Sequence, residues 1–258
     1  MSKHQYFLLY LLKKTMNIKI FSPIFLSSLL AFSCALPHQV LAESTPKGRE
    51  GLPGRRIGGG TRGGCSLNSG QLTALIPENN LGLTQTARPK LFFYLPSTST
   101  SKLIEFVLQD ENGNVIYEKN FTTTGNKGII NINLSDLAST PALSVGKNYH
   151  WFVSIICNPQ RREHDIAVDG WIKRVTLDAR TAQILKRAKP IDQVNFYVNQ
   201  GLWQDAIATL AQLRDKQPNN SQLWATWSQL LSSVKLDAIA KEPLLNIESQ
   251  PKQLSKLK

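Results

Sequence analysis

The sequence contains few of the side chains that most often act as nucleophiles, proton carriers or metal ligands. Its 258 residues include three cysteines and four histidines. No Gly-x-Ser-x-Gly elbow, His-Glu-x-x-His helix motif or dyad of spaced carboxylates stands out. These shortages argue against an α/β-hydrolase, a metalloprotease and a glycosidase. We therefore expect a protein that is not an enzyme, with no catalytic residue, no metal and no cofactor.

Acidic side chains are also scarce. Eighteen Asp and Glu residues stand against thirty Lys and Arg residues, which gives a formal net charge of +12. Such a surplus of positive charge favours contact with anionic polymers or surfaces. The hydrophobic content of 41% is enough for a packed core, so the composition does not indicate a disordered chain.

Residues 1–42 have the composition of a secretory signal peptide. They hold four lysines and no acid, then an apolar run from Ile20 to Leu36, then Val40-Leu41-Ala42. We predict cleavage after this alanine and a soluble, exported chain in the periplasm, outside the cell or elsewhere in the cell envelope, with no stable membrane span. A start at Met16, a membrane anchor and a lipoprotein attached through Cys34 are the alternatives.

Export also affects the cysteines. Cys34 leaves with the leader, so Cys65 and Cys157 remain in an oxidising compartment, where one disulfide between them is the default. It would close a loop of about 90 residues and contribute on the order of 4 kcal/mol in the chain-entropy model. A pair of free, buried thiols is the alternative.

Residues 43–64 form a basic arm rich in glycine and arginine. Within it, residues 58–63 fit Gly-x-Gly-x-x-Gly, but a dinucleotide loop needs a strand just before it and a helix just after it. Nucleic acid is a poor partner for an exported protein. We expect the arm to be flexible and to serve as a basic linker. The alternative is that its arginines bind the sulfate, phosphate or carboxylate groups of an anionic polysaccharide. The arginines proposed to bind the anion are Arg55, Arg56 and Arg62.

Residues 65–180 show short apolar runs separated by turns. The runs Leu103–Gln109 and Val115–Phe121 flank an Asn-Gly turn, which is a strong hairpin signal. About seven such runs at regular spacing predict an all-β domain, an antiparallel β-sandwich of the immunoglobulin or fibronectin type. Tyr149 follows a Leu-x-x-Gly pattern, as the tyrosine of a corner does in such sandwiches, where its hydroxyl bonds to backbone.

Residues 187–245 show a helical period and predict a small α-helical segment, followed by a flexible tail at 246–258. The stretch from Tyr197 to Pro218, with Gly201 and Ala206 inside it, resembles one tetratricopeptide repeat. A single unit cannot bury its own core, so it must pack on the sandwich or on a partner protein. The tryptophans that would serve as core anchors or partner-docking residues are Trp203, Trp224 and Trp227.

Two further tryptophans lie in the predicted β-domain. Trp151 belongs to the long apolar run at residues 149–157, and Trp171 to the last run. Because aromatic faces stack on sugars, we name Trp151 and Trp171 as candidate glycan-stacking residues.

Seven segments of the chain together carry a resemblance to one bacterial family. They are Gly51–Cys65, Leu72–Pro77, Gly82–Thr84, Pro89–Pro96, Tyr149–Cys157, Asp169–Arg174 and Gly201–Ala206. Over residues 51–245 the chain resembles the domain of unknown function 928, a family found mainly in cyanobacteria. Lys90 departs from the apolar or aromatic residue expected there. The resemblance implies an exported envelope protein of a photosynthetic bacterium and implies no activity.

Two hypotheses about function follow. The first is a non-catalytic interaction or scaffold module of the envelope, whose helical segment docks a protein. The second is a carbohydrate-binding protein or a glycan-modifying enzyme. The expected partners are an envelope protein or an anionic polysaccharide, and not nucleic acid.

Overall fold

A computed structural model describes residues 52–58, 65, 67–136 and 140–245, with the backbone of 248–249. The predicted signal peptide and Arg62 lie outside the described residues. Within that part of the chain the fold is mostly β-sheet, followed by four α-helices.

The strands and helices are short and follow one another closely. In chain order the strands are β1 (Leu67–Ser69), β2 (Thr73–Ala74), β3 (Leu81–Thr84), β4 (Lys90–Leu95), β5 (Ser97–Thr98), β6 (Leu103–Gln109), β7 (Val115–Thr122), β8 (Gly128–Asn133), β9 (Asn148–Ile156), β10 (Ile166–Arg174) and β11 (Glu248–Ser249). The helices are α1 (Ala179–Arg187), α2 (Pro190–Asn199), α3 (Trp203–Lys216) and α4 (Ser221–Ser232).

The strands form three sheets. The largest has the order β11-β7-β6-β9-β10-β3, a second has the order β2-β4-β8, and β1 pairs with β5. In the largest sheet β6 pairs antiparallel with β7 and β9, β9 pairs antiparallel with β10, and β3 pairs parallel with β10. Side chains from the six-stranded and three-stranded sheets share the first hydrophobic core, among them Phe93, Phe106 and Trp151.

Strand β4 explains the continuous apolar run KLFFYL. Leu91, Phe93 and Leu95 enter the first core, whereas Phe92 and Tyr94 enter a second core shared with the helices. A strand that is buried on both faces needs apolar residues at every position rather than at alternate ones. Lys90 stands at the first position of the strand and is only half-buried.

Two predicted local features are present. The β6–β7 hairpin turns through Asn112-Gly113, where the glycine has a φ of +83° and the Asp110 carboxylate accepts the Asn112 and Asn114 N–H groups. The Tyr149 hydroxyl accepts a hydrogen bond from the Ser144 N–H at 2.9 Å, as expected for a tyrosine corner.

Three of the four helices begin at a recognisable signal. Asp178 caps α1 by accepting the Thr181 N–H at 3.0 Å, Pro190 opens α2, and Asn220 caps α4. Helix α1 lies in a stretch for which the hydrophobic pattern predicts no helix. Leu185 is its one fully buried residue, so it has no repeating apolar stripe to detect.

The described part of the glycine–arginine arm is held in place by backbone hydrogen bonds on both sides. On one side the Asp169 N–H in β10 donates to the Arg55 carbonyl oxygen at 3.0 Å. On the other, the Ala74 N–H in β2 donates to the Arg56 carbonyl oxygen at 2.8 Å, and the Gly58 N–H donates to Leu72 at 2.7 Å. Residues 55–58 therefore bridge the edges of the two larger sheets, instead of forming the free arm that the sequence predicts.

Candidate binding surface on the six-stranded sheet

The outward side of the six-stranded sheet presents a row of partly exposed side chains. Along β6, β9 and β10 the buried and partly exposed positions alternate strictly over most of each strand, as a sheet with one buried face requires. We call this side the open face. Its central members are Val107, Gln109, His150, Phe152, Ser154, Ala167, Asp169 and Trp171.

Three rings lie next to one another on the open face. The His150 imidazole stacks on the Trp171 indole, with ring centroids 4.2 Å apart and planes 9° from parallel. The same imidazole contacts the Phe152 ring at 4.2 Å. His150 and Trp171 are directly opposite each other in the β9–β10 ladder, so the backbone register itself creates the pair.

A carboxylate fixes this group of rings to the arm. Asp169 accepts a hydrogen bond or ion-pair contact from His150 Nε2 at 2.8 Å and another from the Arg55 N–H at 3.0 Å. The Trp171 indole Nε1–H donates to the Pro53 carbonyl oxygen at 2.7 Å. The arm thus holds the side chains of Asp169 and Trp171 in their orientation on the open face.

A glycine is required where the arm passes over the sheet. Gly54 has a φ of +153°, and a Cβ there would lie 1.9 Å from Asn80 Nδ2 and 2.9 Å from an Asp169 carboxylate oxygen. No other residue fits without moving both partners. This is the physical use of at least one glycine in the arm.

The two candidate glycan-stacking tryptophans occupy opposite sides of the sheet. Trp151 is 0% exposed and packs edge-on against Phe93, so neither face of its ring is open to a ligand. Gly170 makes room for it, because a Cβ there would lie 2.4 Å from the Trp151 ring. Trp171 is partly exposed and is the tryptophan available for stacking.

Arg55 and Arg56, two of the proposed anion-binding arginines, differ in whether their side chains are free to bind a ligand. The Arg56 guanidinium donates to the carbonyl oxygens of Ile76 and Val234, at 3.0 and 2.9 Å, and desolvation lowers its pKa. It therefore acts as a structural donor. The Arg55 side chain is exposed beside the open face, so Arg55 remains available to an anion.

The three tryptophans of the helical segment are mostly committed to packing. Trp203 is 7% exposed and its indole donates to the Leu75 carbonyl oxygen at 2.7 Å, and Trp227 is 0% exposed. Trp224 is partly exposed, donates to the Pro218 carbonyl oxygen at 2.7 Å and lies 3.7 Å from the Arg214 guanidinium. Trp203 and Trp227 thus serve as core anchors, which leaves Trp224 as the accessible one.

One buried polar group was not indicated by the sequence. Asp205, in the first turn of α3, accepts hydrogen bonds from the Gln85 N–H at 2.8 Å and the Thr86 hydroxyl at 2.7 Å. Desolvation raises the pKa of this carboxyl, and the two hydrogen bonds oppose that rise. The group pins α3 to the end of β3. Its only sequence signal is an acid near a helix start, which many exposed residues share.

The sulfur atoms of Cys65 and Cys157 lie at disulfide-bonding distance, with Cα atoms 4.9 Å apart. The predicted disulfide is therefore present. It joins the chain after the arm to Cys157, the residue that directly follows β9. The Cys157 N–H also donates to the Asp165 carboxylate at 3.0 Å, which holds the following loop.

The loop at residues 158–165 is organised by one arginine. The Arg162 guanidinium contacts both Glu105, at 2.8 Å, and Asp165, and these contacts raise its pKa. These two carboxylates are thereby neutralised in place. Within the described ranges, no group of three or more His, Cys, Asp or Glu side chains is arranged to hold a metal ion.

The fold and site define a mostly β protein with four α-helices near its C-terminal end. The sequence profile of the family described as Domain of Unknown Function (DUF928) matches residues 57–244. This match spans well over half of the chain, so the chain belongs to that family. A comparison with curated proteins found no match. No helix among the described residues has both the length and the apolar character needed to cross a bilayer.

Proposed function

We propose that this chain is a non-catalytic, exported protein of the cell envelope that acts as an interaction module, and that the open face is its binding surface. The observation that supports this most is the row of three adjoining rings, Phe152, His150 and Trp171, on a partly exposed sheet surface. Aromatic side chains are over-represented at the centres of protein interfaces, where they bury a large area in a defined orientation.

The proposal includes a finer view of the fold. The shared core of the six-stranded and three-stranded sheets, together with the Tyr149 hydroxyl bonded to Ser144, supports an immunoglobulin-like or fibronectin-like β-sandwich. We further propose that α2 and α3, which contain the Tyr197–Pro218 stretch, form a TPR-like hairpin, and that Trp203 of α3 packs on β4. In this arrangement the helices brace the sandwich, so the docking role moves from the helical segment to the open face.

The leader and the cysteines support the location. A lysine-bearing apolar start at residues 1–42 and a disulfide-distance pair are both typical of exported proteins. We propose a periplasmic or otherwise envelope-located protein of a cyanobacterium, consistent with the family. Its partner would be an envelope protein held on the rings.

A carbohydrate partner is the second candidate, and one observation favours it. Asp169 and Trp171 lie on the same side of β10, and the Asp169 carboxylate accepts the backbone N–H of the exposed Arg55. Stacking and polar contacts to a sugar, including an anionic one, are therefore available on one surface. A glycan-modifying enzyme would need a second carboxylate facing Asp169. The nearby candidates, Glu105 and Asp165, are already bound to Arg162.

Affinity capture from an envelope extract tests the proposal. Trp171→Ala should lose the bound material, whereas Trp224→Ala should keep it. The second variant is a matched control, because both indoles are partly exposed and both donate to a proline carbonyl oxygen at 2.7 Å. Capture that is equal for both variants, while both remain folded, would contradict the proposal.

The same experiment separates the two candidate partners. Digesting the extract with a protease before capture should abolish binding to a protein partner. Binding that survives digestion and still depends on Trp171 would establish the carbohydrate candidate instead.

A further inference from the structure

Helix α1 and the short link after it carry basic side chains that are exposed and form no ion pair within the described part of the chain. Between Asp178 and Asp192 the chain has four basic residues and no acid. All four are exposed, and none forms an ion pair with another described residue. These four residues are Arg180, Lys186, Arg187 and Lys189.

An exposed isoleucine lies among these charges. Ile184 is 61% exposed, the highest fraction among the large hydrophobic side chains of the described residues. Arg180 precedes it by four positions and Arg187 follows it by three, so all three side chains lie on one face of the helix. Leu185 points the other way and packs beside Tyr197 of α2, which anchors α1 to the fold.

We propose that this Arg180–Ile184–Arg187 face docks on an anionic lipid membrane surface. The arginines would contact lipid phosphates, and Ile184 would enter the boundary between headgroups and acyl chains. A soluble anionic polymer would be attracted by the same charges, but it offers no apolar phase to Ile184. The combination of a central aliphatic side chain with flanking cations therefore favours lipid over polysaccharide.

The docking would be peripheral and reversible. Helix α1 has nine residues, which is far too short to cross a bilayer. Each basic residue close to an anionic bilayer strengthens binding by about fivefold. This surface is separate from the open face, so the proposal does not depend on the proposed function.

Vesicle co-sedimentation of the processed chain, from residue 43 onward, tests the docking. The probes are vesicles of phosphatidylglycerol mixed with phosphatidylcholine, compared with vesicles of phosphatidylcholine alone. Arg180→Gln/Arg187→Gln should weaken the preference for the anionic vesicles about 25-fold, from two steps of about fivefold each. Lys216→Gln/Lys241→Gln removes the same charge from exposed positions elsewhere and should change the preference by less than the arginine pair.

The isoleucine distinguishes lipid from polymer. Ile184→Ser should weaken binding to anionic vesicles about tenfold or more, because burial of an aliphatic side chain contributes at least roughly this factor. Val145→Ser is the control, since Val145 is also exposed, at 47%, but lies among the strands. All these side chains are exposed, so the unfolding temperatures of the variants should match that of the parent.

Three results would overturn the proposal. The first is equal loss of vesicle preference in the arginine pair and the lysine pair. The second is no effect of Ile184→Ser on vesicle binding. The third is binding to soluble polygalacturonate as tight as binding to the anionic vesicles, which would assign the face to an anionic polymer.

Discussion

The Arg56 guanidinium donates a hydrogen bond at 2.9 Å to the carbonyl oxygen of Val234, which lies just beyond the end of α4. The same Nη1 atom donates to Ile76, after β2, at 3.0 Å. One side chain of the glycine–arginine arm thus ties the helical part of the chain to the strands. The arm is a structural connection in its described part, and the surface available for binding lies next to it.

Arg56→Ala should therefore lower stability, whereas Arg55→Ala should leave it almost unchanged. Removing the Arg56 side chain leaves two carbonyl oxygens without their charged donor, at a cost of about 2 kcal/mol. Arg55 meets its neighbours through its backbone, which alanine keeps. Urea unfolding of both variants measures the difference. An equal free energy of unfolding for both variants would mean that the Arg56 guanidinium contacts do not contribute to stability.

Replacing both Cys65 and Cys157 by serine should destabilise the protein by about 4 kcal/mol, because the bridge closes a separation of 92 residues. Urea unfolding under oxidising conditions measures this loss. Parent protein treated with a reductant should approach the variant. Non-reducing peptide mapping of the exported protein checks whether the disulfide forms. Two free thiols in that protein would contradict it.

Trp227→Ala should cost about 3–5 kcal/mol, because it leaves a large cavity in the core between β4 and the helices. Trp224→Ala should cost clearly less, since this ring is partly exposed and covers Arg214 from one side. Thermal unfolding of the two variants tests the assignment of Trp227 as a core anchor. A Trp227→Ala protein as stable as the parent would instead favour an interface role.

The buried Asp205 should give a characteristic dependence of stability on pH. Its pKa is raised by desolvation, so the folded protein holds this proton more tightly than the unfolded chain does. The associated stability is complete below the ordinary value of 3.8 and is lost as the pH rises through the folded pKa. Asp205→Asn lacks this loss, so its stability relative to the parent should improve as the pH rises.

Asp178 provides a control of opposite sign. Its hydrogen bonds to Thr181 lower its pKa, so its contribution is present above 3.8 and fades as the pH falls. The free energy of unfolding relative to the parent should fall with rising pH for Asp178→Asn and increase with rising pH for Asp205→Asn. Urea unfolding between about pH 3 and pH 7 measures the two slopes. Slopes of the same sign would refute the assignment of burial as the dominant effect at Asp205.

Much of the β-region was predictable because its side chains carry periodic signals. The Asn-Gly turn, the alternation in β6 and β9 and the cysteine count each correspond to a feature of the structure. The alternation in β10 also shows on which side of the sheet Trp171 lies. Trp171 is out of phase with Val168 and Ile172, which are buried, so it had to face outward.

The arm and α1 were not predictable by the same means. Residues 55–58 are held through backbone groups, and a glycine such as Gly54 is fixed by the space left beside Asn80. Neither property produces a hydrophobic pattern. Helix α1 has only two large apolar side chains, Ile184 and Leu185, and they are adjacent, so no apolar residue recurs at helical spacing.

The most direct test of the open face as a binding surface uses the five tryptophan indole N–H signals of the ¹⁵N-labelled protein. Only Trp171 and Trp224 are partly exposed, whereas Trp151, Trp203 and Trp227 are buried. On titration with the envelope fraction that the protein captures, the Trp171 signal should shift or broaden while the other four stay in place. Saturable binding that leaves the Trp171 signal unmoved, or that moves Trp224 instead, would contradict the account.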